Sequence, residues 1–179
     1  MKMHNILLTI LAICLSTVAF AQELVYPKAA FDQESAKKAL AKGKSTVMGS
    51  VFFAPVNNIY GIKNTNAKTY GNNAVVSIFP LTPYIQEWKK LKVKNSLRQK
   101  KIVKMSDEVS GVRLDVKADE GGNFKFTEMK PGKYFLLSIV EWHYGATEED
   151  PAKSYYKNVY GIVEIKTDGE IIKNVKVTN

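Results

Sequence analysis

Cysteine and histidine are nearly absent from this sequence. Its 179 residues include one Cys and two His, and Cys14 and His4 both fall within the first 21 positions. Downstream of Ala21 there is no thiol, and His143 is the sole imidazole. This excludes a disulfide scaffold, a thiolate nucleophile and a zinc site built from Cys or several His. No second apolar run approaches the roughly 20 residues that a membrane-spanning helix needs. There is no internal repeat at a fixed period, no G-x-S-x-G nucleophile elbow, and no strand–helix alternation of the kind that builds a parallel α/β sheet. Acid is in short supply as well: 26 Lys+Arg against 17 Asp+Glu leave a net charge of +9. A hydrophobic fraction of 45% is nevertheless ordinary for a packed core and too high for a disordered chain.

Residues 1–21 have the form of a secretory signal. Lys2 and His4 make a weakly basic start, Ile6–Val18 is largely apolar, and Ala19-Phe20-Ala21 offers a small-x-small cleavage site before Gln22. The sequence therefore predicts export, with a periplasmic or extracellular product after cleavage near Ala21. Residues 22–44 form an extension with one short helix over Asp32–Lys42, capped by Asp32 or Ser35 and closed by Gly43.

From residue 45 onward the pattern is that of strands. Thr46–Phe53, Ala74–Leu81, Val112–Lys117, the Phe124/Phe126 segment, Lys133–Tyr144, Tyr156–Lys166 and Ile171–Val177 are β-branched, aromatic or alternating. Lys133–Tyr144 is apolar on both faces and is expected at the centre of a sheet. Asp168-Gly169 predicts a final hairpin between the last two strands. Asn57–Asn73 reads as a long loop. Tyr84, Trp88 and Leu91 recur at helical spacing, so a helix is expected from about Thr82. The expectation is an all-β fold over 45–179: about seven strands in an antiparallel sandwich, with a basic helical insertion over about 82–104.

The most specific segment is Asp119-x-x-Gly122-x-Phe124-x-Phe126, followed by Met129-Lys130-Pro131-Gly132-Lys133-Tyr134. Asp119 can bond backbone in a tight turn, Gly122 can take positive φ, and Phe124 and Phe126 share one strand face. This spacing resembles the carboxypeptidase regulatory-like domain, a transthyretin-like β-sandwich. Val47-x-Gly49-x-Val51 is similar to that family's opening strand. The resemblance implies a non-enzymatic accessory, spacer or binding module of a bacterial envelope, without cofactor. Related hydrolases and intradiol dioxygenases use more than one His, which sets both aside here.

Two surfaces are candidate ligand sites. Residues 89–104 contain Lys89, Lys90, Lys92, Lys94, Arg98, Lys100, Lys101 and Lys104 and no acid. Those eight charges equal the excess downstream of residue 21, where 25 basic face 17 acidic side chains. With Trp88 they could grip an anionic envelope component, or simply form a solvated helix. Tyr144, Tyr155, Tyr156 and Tyr160 border a loop through Pro151, while Tyr60 and Tyr70 lie in the Asn-rich loop; exposed tyrosines can stack on sugars or peptides. Nucleic acid is the poorest partner for an exported chain lacking aromatic-basic stacking strands. Docking on another envelope protein is the alternative function, and a hydrolase using His143 ranks last. Asp115, Asp119, Glu120 and Asn123, or Glu148-Glu149-Asp150, could offer calcium oxygens, but no EF-hand spacing is present.

Overall fold

A computed structural model describes residues 23–55, 67–96, 101–144 and 153–179. The signal segment, most of the Asn-rich loop, Arg98, Lys100 and the acidic run at 148–150 lie outside the described residues. The strands are β1 (Glu23–Val25), β2 (Ser45–Phe53), β3 (Thr69–Tyr70), β4 (Val75–Pro80), β5 (Lys101–Val103), β6 (Leu114–Lys117), β7 (Asn123–Met129), β8 (Gly132–Tyr144), β9 (Lys153–Ile165) and β10 (Ile171–Val177). The helices are α1 (Gln33–Ala39), α2 (Pro83–Ser96) and α3 (Asp107–Ser110).

The expected all-β sandwich is present. One sheet has β10 on one side of β2, with β7 and then β3 along the other; the second runs β6-β4-β8-β9. Alternation decides what lies between them. Val47, Val51, Phe124, Phe126, Tyr134, Leu136, Val140, Val159 and Val163 point inward and form the main core. β8 lies between β4 and β9, as its apolar character on both faces predicts.

The Asp119–Tyr134 segment behaves as its residue types dictate. The Asp119 carboxylate accepts the Asn123 backbone N–H at 2.8 Å and its amide N–H groups at 3.1 and 3.2 Å. Those bonds hold the Asp119 carboxyl below the usual range. Gly122 sits at φ +75°, and a Cβ there would lie 2.7 Å from the Val51 carbonyl oxygen. The Tyr134 hydroxyl reaches the carbonyls of Lys130 at 2.8 Å and Ala39 at 3.0 Å, which ties α1 to the sandwich. A seven-residue helix is marginal alone, so this anchor matters.

Two expectations need correction. The last two strands are not a hairpin: β9 pairs with β8 over its full length, while β10 crosses to the other sheet and pairs with β2. Beside β9 there is an isolated bridge, Tyr160–Thr178, made by the residue just after β10. The turn residues instead face the start of β2, where Lys44 N–H donates to Asp168 and Ser45 Oγ accepts the Gly169 N–H, both at 3.0 Å. The sheets are also not wholly antiparallel, because β10–β2 and β1–β5 pair in parallel. A local turn signal specifies a reversal but not which sheet the next strand joins.

The basic insertion is no appendage. α2, β5 and α3 join β1 and the segment after it as a third layer over the outer face of the β4–β8–β9 sheet. There Phe79, Tyr84, Ile85, Trp88, Val103, Val109 and Phe135 form a second core. The Thr82 hydroxyl caps α2 by accepting the Ile85 N–H at 3.3 Å. Glu87 fastens the N-terminal segment by accepting the N–H groups of Lys28 and Ala29 at 3.0 and 2.7 Å.

Candidate functional site

The third layer covers only part of the outer sheet face, and a cleft lies to each side of it. The first is lined by residues of the β3–β4 connection, Thr69–Ala74, and by Ile139, Glu141 and Tyr156 on β8 and β9; its volume is about 550 Å³. Tyr156 is 69% exposed, whereas the Tyr70 ring, 46% exposed, packs against its cross-strand partner Phe52 with centroids 6.0 Å apart. The Tyr156 hydroxyl donates to Glu141 at 3.3 Å, which orients that ring. Asn72 and Asn73 add amide donors and acceptors, and Asn73 adopts φ +55°, a conformation Asn tolerates better than most residues. Ile139, 53% exposed, supplies an apolar floor.

The second cleft lies between α2 and the β8–β9 ribbon, with a volume of about 680 Å³. Lys89, Lys90 and Lys94 on α2 and Lys133 on β8 surround it, and Leu81, Val93 and Ile162 form its apolar part.

The predicted site residues thus divide. Lys89, Lys90 and Lys94 share one cleft. Lys92 stands over the Trp88 ring, 5.9 Å from its centroid, and Lys101 is ion-paired with Glu23 at 2.7 Å. Lys104 is exposed, and its backbone N–H is bonded to Val25. Arg98 and Lys100 lie outside the described residues. Trp88 is not displayed: it is 5% exposed, packed edge-on against Phe135 and Tyr160, and its Nε1 has no hydrogen-bond partner among the described residues. The helical spacing that suggested a surface aromatic is the spacing of a buried stripe.

The tyrosines divide too. Tyr155 and Tyr156 are neighbours on one strand and so point to opposite faces. Tyr155 stacks on Trp142 with centroids 5.0 Å apart, away from the Tyr156 cleft. Tyr160 lies in the second core. The side chains of His143 and Tyr144 fall outside the described structure. Sequence reasoning missed Glu141 and Lys133, which carry no local signal because tertiary packing brings them to the clefts. Among the described residues, no group of three or more His, Cys, Asp or Glu is placed to hold a metal ion. Asp115 is engaged instead by Arg113 and Ser77.

Burial pushes the Tyr160 hydroxyl up to about 12 and raises Tyr134 in the same direction. The neutral form is the one the fold prefers. Between pH 10 and pH 12 the folded state holds a proton at Tyr160 that the unfolded chain has released, so stability falls as pH rises through that window. Tyr160→Phe should keep its stability below pH 10 and flatten this decline, as read from urea midpoints across the pH series. An identical slope in the variant would remove Tyr160 as its source.

Among the described residues, no helix is long and apolar enough to cross a membrane. Neither a protein-family model nor a curated protein matches the chain. Among solved structures, the chain is similar to a candidate carbohydrate binding protein from Pseudomonas aeruginosa, 15% identical, with a TM-score of 0.59 over 87% of this chain and 100% of that one. At that identity the likeness establishes a shared fold.

Proposed function

We propose that this protein is an exported, non-enzymatic carbohydrate-binding module of the bacterial envelope, built on a carboxypeptidase regulatory-like sandwich. The observation that carries the reading is the exposed Tyr156 ring in one open cleft with Asn72, Asn73 and Glu141. An aromatic face flanked by amides and a carboxylate suits a sugar, which offers apolar C–H faces and a ring of hydroxyls. The name carried by the structural neighbour is in keeping with it. Glu141 favours neutral or amino sugars over acidic ones, because a carboxylate repels an anionic substituent.

The test is titration of the protein with a panel of neutral, amino and acidic oligosaccharides, followed by variants on the best ligand. Tyr156→Ala should weaken binding about two- to twelvefold, corresponding to the ~0.5–1.5 kcal/mol of a single aromatic contact. Tyr155→Ala, on the opposite strand face, should leave it unchanged. Full affinity in Tyr156→Ala would end this reading.

A further inference from the structure

The cleft beside α2 has a composition distinct from that of the tyrosine cleft. Val93 and Ile162 are 47% and 51% exposed. They come from different layers, Val93 from α2 and Ile162 from β9, and face the same space with Leu81. Ile162 is the cross-strand partner of Phe135, so the apolar surface continues from the second core into the cleft. The surrounding charge is of one sign apart from Glu164, which stands 3.7 Å from Lys133. Among the described residues the ion pairs are made by Lys37, Lys42, Lys101, Arg113 and Lys133, and none by Lys89, Lys90 or Lys94, whose methylene stems extend the apolar walls. About 680 Å³ falls within the ~300–1,000 Å³ typical of small-molecule sites.

We propose that this cleft binds a single-chain anionic amphiphile. The acyl chain lies on Leu81, Val93 and Ile162, and its carboxylate or phosphate head is held by Lys89, Lys90 and Lys94. Each part of the site serves one part of such a ligand. An inorganic anion would leave the apolar floor uncovered, and an uncharged chain would leave three like charges crowded and unpaired. A concave cleft between two layers accommodates one chain, whereas a bilayer surface demands a convex or flat face. The site is separate from the tyrosine cleft and does not depend on its ligand.

The experiment is calorimetric titration of the protein with monomeric decanoate and dodecanoate, each below its micellar concentration. Decanol, inorganic phosphate and phosphatidylglycerol vesicles serve as comparison ligands. Decanoate should bind, with dodecanoate about fourfold tighter, the gain expected from half-burying two more methylenes. The triple change Lys89→Glu, Lys90→Glu and Lys94→Glu should weaken dodecanoate at least tenfold. Ile162→Glu should do the same; Val93→Asp replaces it if circular dichroism shows that the β9 change unfolds the sheet. Tyr156→Ala should have no effect on dodecanoate, which separates this site from the carbohydrate reading. Three results would overturn the proposal: phosphate binding as tightly as dodecanoate, decanol binding as tightly as decanoate, or binding to vesicles with none to the monomeric acids.

Discussion

Phe135→Ala should lower the unfolding free energy by about 3–5 kcal/mol, the usual loss for truncating a buried phenylalanine. Phe135 has no exposed surface, and on the outer side of β8 its ring meets Phe79, Trp88 and Tyr160 with centroids 6.4, 6.1 and 5.8 Å away. Those three rings come from β4, α2 and β9, so a cavity here is lined by both the sheet and its cover. The loss should be uneven. Amide hydrogen exchange should accelerate most in α2, because Trp88 loses a partner that holds the helix down, while β2 and β7 amides in the other sheet change in line with global stability. Urea unfolding and exchange measured together would check both. A loss under about 1 kcal/mol would mean that the cover does not depend on this ring.

Gly49→Ala should be the most damaging single-methyl addition, with a loss of about 3 kcal/mol and reduced soluble yield. Gly49 is in the middle of β2, and its Cβ would lie 2.1 Å from the Val175 carbonyl oxygen and 2.8 Å from Phe124 Cζ. Neither neighbour can give way cheaply: Val175 is backbone of the paired strand, and Phe124 is buried. A matched control is Gly111→Ala at the end of α3, where φ is −76° and the nearest atom is 3.3 Å away. That change should be within ±0.5 kcal/mol of the original. Thermal unfolding of the pair settles the matter, and equal melting temperatures would show that β10 can draw back from β2.

The strands were legible in the sequence because period-two alternation is a local property. Val47/Val51, Phe124/Phe126 and Tyr134/Leu136 announce one buried face each, and Asp119 with Gly122 announces the turn between sheets. What was not legible is which strand lies beside which. Asp168-Gly169 specifies a reversal, yet β10 joins β2 because that edge is open and the turn amides find partners at Lys44 and Ser45. The site was half readable. The lysine run on α2 and the tyrosine-rich segments were visible, but helical phase separates Lys89, Lys90 and Lys94 from Trp88. Strand phase likewise separates Tyr155 from Tyr156. Lys133, Ile162 and Glu141 reach their clefts only through sheet register, which pairs Ile162 with Phe135 and Tyr156 with Glu141.

The parallel seating of β10 against β2 sets the order of events as the chain folds. Ala54 and Asn179, 125 positions apart, exchange two hydrogen bonds of 3.0 and 2.9 Å at the end of this pairing. Closing so long a loop precedes any reward from the contacts it permits, which places this protein among slow folders of high contact order. Until β10 arrives, one long edge of β2 carries unsatisfied amides and can template pairing with another copy. The chain is therefore most open to aggregation while β2 is formed and β10 is not yet seated, and a chaperone shielding β2 would serve it best at that stage.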